Sequence, residues 1–195
     1  GSLGAVWQWQ SSRDITFSLS SSQRAASIEE YFSNVDTTGC VSKNSSQELL
    51  AHEPTARIEI GNPRLDREAS NNIEWGIRQT KGHVTGSFNL YYNNIHDFIY
   101  LADSGEYLDG VQLAYYRQKK AVFKGAEGEL TWHSSTLAVD HWELGLFGDM
   151  VRAEFDNGDW VPRTPPKRVG GEIALIRAMW SARLRWAEVA AQSRV

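Results

Sequence analysis

Residues 58–101, IEIGNPRLDREASNNIEWGIRQTKGHVTGSFNLYYNNIHDFIYL, decide the fold. Ile73, Trp75 and Ile77 alternate with Asn72, Glu74, Gly76 and Arg78. Past the short turn 79–83, Val84, Phe88, Leu90 and Tyr92 alternate with Thr85, Ser87, Asn89, Tyr91 and Asn93. Neither set fits helical spacing, so the stretch reads as one long antiparallel hairpin. One face is apolar with aromatics near its ends, and the other carries amides, hydroxyls and charges. A soluble sandwich would bury the apolar face under a second sheet. A membrane barrel would turn that face to lipid and the polar face to its lumen.

The same alternation runs outward from this hairpin. Ala5, Trp7 and Trp9 oppose Val6, Gln8 and Gln10, and Ile15, Phe17 and Leu19 oppose Thr16, Ser18 and Ser20. Farther on, a strand over roughly 112–133 sets Glu127, Glu129 and Thr131 against Ala126, Leu130 and Trp132. Trp142, Leu144, Leu146 and Met150 then oppose Glu143, Gly145, Phe147 and Asp149. Val169, Ile173 and Leu175 oppose Arg168 and Glu172. The last strand sets Trp180, Ala182, Leu184 and Trp186 against Ser181, Arg183 and Arg185. Connections near Arg13, Gly82, Ser135 and Met179 read as short. Those over 24–66, 102–110 and 156–166 read as long. Such a long–short rhythm is that of a transmembrane barrel, with long loops on one rim and tight turns on the other. Within 24–66, Ser27-Ile28-Glu29-Glu30 has the capping-box pattern and predicts a short helix; the remainder, rich in Ser, Asn, Thr and Gly, reads as loop. The expected architecture is all-β, an antiparallel up-and-down meander of about eight long strands.

The bulk properties agree. The chain has 195 residues, 41% of them hydrophobic, and a mean hydropathy of −0.45. Barrels score as hydrophilic because half of every strand avoids lipid. Eight tryptophans and seven tyrosines suit a membrane interface. A net charge of −4 with scattered Lys and Arg argues against nucleic acid as a partner. Cys40, the single cysteine, closes no disulfide within the chain and has no evident His partner for nucleophilic chemistry. GxSxG, HExxH and phosphate-loop patterns are missing, so the reading is not an enzyme. The opening GSLGAVWQWQ lacks the charge and apolar core of a signal peptide and reads as the interior of a strand. The chain is therefore expected to be a piece of a larger barrel. The density of charge on the polar face points the same way, since a small dry lumen would demand near-complete pairing. That face holds Glu74, Arg78, Glu127, Glu129, Glu143, Asp149, Arg168, Glu172, Arg183 and Arg185, expected to face lumen and plug. Trp7, Trp9, Trp75, Trp132, Trp142, Trp180 and Trp186 form the expected lipid belt.

Several stretches resemble the barrel of TonB-dependent outer-membrane receptors. They are SQRAASIEEY at 22–31, EIGNPRLDREASNNIE at 59–74, YYNNIHDFIY at 91–100, GAEGE at 125–129, GDMVR at 148–152, PRTPPKRVG at 162–170 and VAAQ at 189–192. Within that family the chain looks most like the zinc-uptake branch. The resemblance implies part of a barrel of roughly 22 strands, with 24–66 an extracellular loop, a plug domain reached by the TonB complex, and lipid around the outside. It also implies energised uptake of a scarce nutrient, with zinc as transported ligand and no resident cofactor. For metal capture, His52 and Glu53 in the longest loop and His96 and Asp97 near their strand's top are the candidate ligands, with Asp103 and Glu106 just beyond. Imidazole with carboxylate suits zinc. His83, His133 and His141 fall near short turns and read as interfacial. A siderophore, haem or cobalamin receptor is the alternative cargo class, and a soluble β-sheet binding module the alternative of another kind.

Overall fold

The computed structural model describes residues 1–35, 49–135 and 140–192. Cys40 and the tip of the turn at 136–139 lie outside them. Among the described residues, nine strands and one helix follow in order: β1 Ser2–Gln10, β2 Arg13–Arg24, α1 Ile28–Phe32, β3 Arg57–Ile60, β4 Glu68–Gln79, β5 Val84–Leu108, β6 Val111–His133, β7 His141–Phe155, β8 Arg168–Arg177 and β9 Trp180–Val189. All nine join one sheet: eight follow the order β1-β2-β4-β5-β6-β7-β8-β9, and β3 lies off this path beside β6. This is the expected all-β meander. No described helix is long and apolar enough to cross a membrane. At 25 and 23 residues, β5 and β6 are far longer than the roughly 9–11 tilted residues that span a bilayer's hydrocarbon core.

Two expectations need correction. The segment 102–110 is not a long loop. β5 continues to Leu108, and only Asp109 and Gly110 turn the chain, at φ 50° and 81°. Positive φ at both central residues makes this the primed hairpin turn that matches strand twist, for which Asp-Gly is a favoured pair. Acidic, Ser- and Gly-containing residues had suggested a loop, but cross-strand pairing overrides so weak a local preference. Likewise, the first arm of the 58–101 hairpin does not begin at Ile58. It begins at Glu68, and Ile58–Ile60 belong to β3, which pairs parallel with β6 (Ile58 with Leu113, Glu59 with Ala114, Ile60 with Tyr115). β6 is 23 residues long and its other neighbour β7 only 15; β3 supplies a partner to a stretch of β6 that would otherwise present an open edge.

The chain forms two compact units. One comprises Gly1–Ser21, Asn71–Asn94 and Val122–Val195. Its register follows the predicted alternation: Leu3 faces Leu19, Ala5 faces Phe17 and Trp7 faces Ile15. Trp142 pairs Leu175 and Leu144 pairs Ile173; Ile173 in turn pairs Leu184 and Gly171 pairs Trp186. The apolar face is left open, with Trp7, Trp9, Trp75, Trp142, Trp180 and Trp186 all exposed. Trp132 packs edge-on against Trp142 at 4.9 Å between ring centres. After β7 the chain folds back on itself: Val161 donates its N–H to the Ala153 carbonyl at 3.1 Å, burying Val161, Ala153 and Phe155.

The other unit comprises Ser22–Ser70 and Ile95–Ala121. Its core is Ile58, Ile60 and Leu113, with Val35, Leu49, Val111 and Tyr115 packed around them. The predicted capping box forms: Ser27 Oγ accepts from the Glu30 N–H at 3.2 Å and the Glu30 carboxylate accepts from the Ser27 N–H at 2.6 Å. Arg24 then bridges Glu30 and Glu68, at 2.8 and 2.6 Å.

Candidate functional site

Alternation along β3 sends Ile58 and Ile60 into the core and turns Glu59 to the other side, beside Ala114 and Tyr116. Glu59 is nonetheless 3% exposed. A carboxylate so buried must be hydrogen-bonded, and this one is. It accepts from the Tyr116 hydroxyl at 2.6 Å and the Thr55 hydroxyl at 2.7 Å, and His52 Nδ1 lies 3.1 Å away. His52 is positioned by the turn 52–57, its N–H donating to the Arg57 carbonyl at 2.8 Å. Burial pushes the Glu59 carboxyl upward, but the bonds from Tyr116, Thr55 and His52 outweigh it and hold the group below its ordinary range. Burial first, then the bond to Glu59, raises the Tyr116 phenol.

A lowered carboxyl stabilises the folded form fully above its unfolded pKa of about 4.3, and that contribution disappears as pH falls through the folded value. Amide protection of β3, corrected for intrinsic exchange, is therefore expected to hold at neutral pH and to drop below about pH 4. In Glu59→Gln the drop should flatten. Unchanged acid sensitivity in that variant would remove Glu59 as its cause.

The four predicted metal residues share this unit. His52 is half-exposed and held by Glu59, which the sequence reading did not single out; Glu53 points to solvent. His96 and Asp97 are exposed too. Asp97 sits at φ 55°, and its carbonyl accepts from Gln118 Nε2 at 3.0 Å. Asp103 is engaged by Arg57 at 2.7 Å, while Glu106 is exposed. Among the described residues, no group of three or more His, Cys, Asp or Glu side chains is spaced to hold a metal ion.

In the first unit, the polar face is a ladder of paired charges. Arg168 meets Asp149 at 2.7 Å and Arg183 meets Glu172 at 3.1 Å. Asn89 donates to Glu127 at 3.2 Å, Ser87 to Glu129 at 3.4 Å, and Asn72 to Glu74 at 2.6 Å. Glu143 lies 2.9 Å from His133. By the same alternation, Arg78 shares the face of Glu74. Asn89, Tyr91, Glu127, Asp149, Arg168 and Arg185 line a groove of about 540 Å³ on this face.

Phe147, Tyr91 and the pair Gly170-Gly171 were not singled out as functional from sequence. Phe147 lies on the polar face with the Arg185 guanidinium 4.2 Å above its ring, a cation–π contact. A side chain on Gly170 would collide with that ring and with the Trp186 carbonyl, and one on Gly171 with the Trp186 indole. Each glycine thus seats one aromatic, on opposite faces of the sheet. The Gly-Gly step was the visible signal; the aromatics it seats lie on neighbouring strands.

Solved structures share this fold. The chain is similar to a structure described as "Copper transporter OprC", at TM-score 0.77 and 15% identity, covering 100% of this chain and 26% of that one. It is also similar to the siderophore receptor PirA from Acinetobacter baumannii, at TM-score 0.61 and 16% identity, with 95% and 28% covered. PirA from Pseudomonas aeruginosa matches at TM-score 0.53 and 17% identity, with 98% and 36% covered. The chain thus spans roughly a quarter to a third of the length of these structures. With the family described as TonB dependent receptor-like, beta-barrel matching residues 1–194, the chain belongs to that outer-membrane family.

Proposed function

We propose that this chain is part of a receptor that takes up a scarce metal or metal chelate across the outer membrane, driven by TonB acting on a plug domain. The family is one of transport receptors rather than enzymes. One observation carries the reading: the sheet is two-sided, with paired charges on one face and exposed tryptophans on the other. That division suits lipid outside and a hydrated, plugged lumen inside. Residues 24–66 form an extracellular portion, on the rim opposite the turns near Arg13, Gly82, Ser135 and Met179. Binding and opening need no covalent step; cargo is captured at this rim, and work done on the plug opens a path.

Zinc is the narrower proposal. The exposed imidazoles of His52 and His96 lie in one compact unit, and the Glu59 carboxylate orients His52 in the manner of an outer-shell partner of a metal-ligating His. A chelate is the second reading, favoured by the exposed apolar and aromatic surface of the same unit at Phe32, Tyr107 and Leu108. Titration of the complete purified receptor with Zn²⁺ and with ferric siderophores separates the two. On the zinc reading, His52→Ala with His96→Ala weakens Zn²⁺ binding roughly tenfold or more and leaves chelate binding alone. Absence of zinc affinity in the unaltered receptor would sink the zinc proposal while leaving the receptor proposal standing.

A further inference from the structure

Both histidines of the zinc reading are tethered to one strand. Tyr116 and Gln118 stand two residues apart on β6, so they share a side of it at a spacing of roughly 7 Å. Each reaches a different candidate ligand within the second compact unit. From Tyr116 the link runs through Glu59. The Tyr116 hydroxyl donates to Glu59 Oε2 at 2.6 Å, while Glu59 Oε1 lies 3.1 Å from His52 Nδ1. An ionised carboxylate only accepts, so the proton of a neutral His52 sits on Nδ1 and the lone pair is left on Nε2. That lone pair is what a metal ion takes. Acting through the carboxylate, Tyr116 thus fixes which nitrogen of His52 is offered.

From Gln118 the link runs through the backbone beside His96. Asp97 is left-handed, at φ 55°, inside β5. A residue with a Cβ keeps that conformation in a strand only where its surroundings impose it. Side chains do so here. Gln118 Nε2 donates to the Asp97 carbonyl at 3.0 Å, and Glu68 accepts from the Ile99 N–H at 2.7 Å. Gln118 is itself clamped, exchanging bonds of 2.8 Å with the N–H and the carbonyl of Asp66. Reversal of φ at Asp97 interrupts the regular alternation of side chains along β5. Among the described residues the His96 imidazole has no hydrogen-bond partner of its own. Its direction is therefore set by the backbone that Gln118 holds.

We infer that Tyr116 and Gln118 are positioning residues for cargo capture, one setting His52 through Glu59 and the other setting His96 through Asp97, so that both imidazoles are registered to β6. This rests on the zinc reading proposed above, in which the two histidines are ligands; Tyr116 and Gln118 hold them and are not ligands themselves. Holding both ligands from one strand lowers the cost of ordering them when the ion arrives.

The test titrates the complete purified receptor with Zn²⁺, unaltered and as Tyr116→Phe or Gln118→Glu, each also combined with His52→Ala or His96→Ala. Tyr116→Phe keeps the ring and removes the donor to Glu59. Gln118→Glu keeps the acceptor for the Asp66 N–H and removes the donor to Asp97. Each is expected to weaken Zn²⁺ binding roughly fivefold. The loss from Tyr116→Phe should vanish in His52→Ala and persist in His96→Ala, and the loss from Gln118→Glu should do the reverse. A general loosening of the unit would act in both backgrounds. Losses that persist in every background, or undiminished binding in both variants, overturn the inference. Modification of the histidines by diethyl pyrocarbonate without metal, read residue by residue by mass spectrometry, is the second measurement. Tyr116→Phe is expected to change the rate at His52 alone, and Gln118→Glu at His96 alone. That pattern in a receptor with no zinc affinity sinks the zinc reading and leaves the positioning standing. Rates changed at both histidines or at neither overturn the positioning.

Discussion

Glu59→Ala is expected to release β3 from β6 while leaving the first unit folded. Truncation removes the acceptor for the Tyr116 and Thr55 hydroxyls, at 2.6 and 2.7 Å, and the partner of His52 at 3.1 Å. Leaving partners of a buried charge unsatisfied costs about 3 kcal/mol. That exceeds what four residues of parallel pairing resist by themselves, since isolated short strands are marginal in water. Hydrogen exchange on the complete receptor reads the effect: amides of β3 and of 111–116 should lose protection, and those of β8 and β9 should not. Proteolysis within 24–66 should rise in step. If β3 keeps its protection in Glu59→Ala, its pairing with β6 rests on the Ile58–Ile60–Leu113 core alone.

The second large effect is expected at Gly61, which follows β3 directly. A methyl group there would lie 2.6 Å from the Phe32 nitrogen and from the Tyr31 carbonyl carbon and oxygen. All three are backbone atoms, so no rotamer change relieves the overlap. α1 must move, breaking the bonds from the Gly61 N–H to Ser33 and from the Asn62 N–H to Glu30, both 2.8 Å. Overpacking of this kind costs roughly 2–3 kcal/mol. Gly61→Ala should therefore detach α1, measured as lost amide protection over 28–33. Gly4→Ala is the control: its nearest neighbour would be the Phe17 carbonyl at 3.7 Å, an ordinary contact, and no change is expected. Equal behaviour of the two variants would refute the close approach at Gly61.

Different parts of the molecule were legible in the sequence to different degrees. Strand alternation identified both faces of the meander, because successive side chains of a strand point to opposite faces. The capping box at Ser27–Glu30 was legible because both of its bonds close within four residues. By contrast, the 102–110 stretch was misread as loop, its acidic and small residues being held in β5 by pairing across a two-residue turn. Ile58-Glu59-Ile60 carries the right alternation for a strand, yet nothing local says that its partner is β6, more than fifty residues away, or that the pairing is parallel. Glu59 was passed over for the same reason: it is an ordinary surface residue until Tyr116, Thr55 and His52 surround it. His52 and His96 were visible as candidate ligands by type, whereas their company in space was not.

By itself the sequence determined the class of this protein, an antiparallel sheet with aromatics on one face and charges on the other, because the period-two alternation of such a sheet is written directly into residue order. Only the tertiary structure decided that the segment before β4 folds, with β3 closing an open edge of β6 around a buried carboxylate. It decided, too, which aromatic rests on which glycine. These are matters of register and close approach between distant residues, and the free energies that select them exist only once the strands are paired.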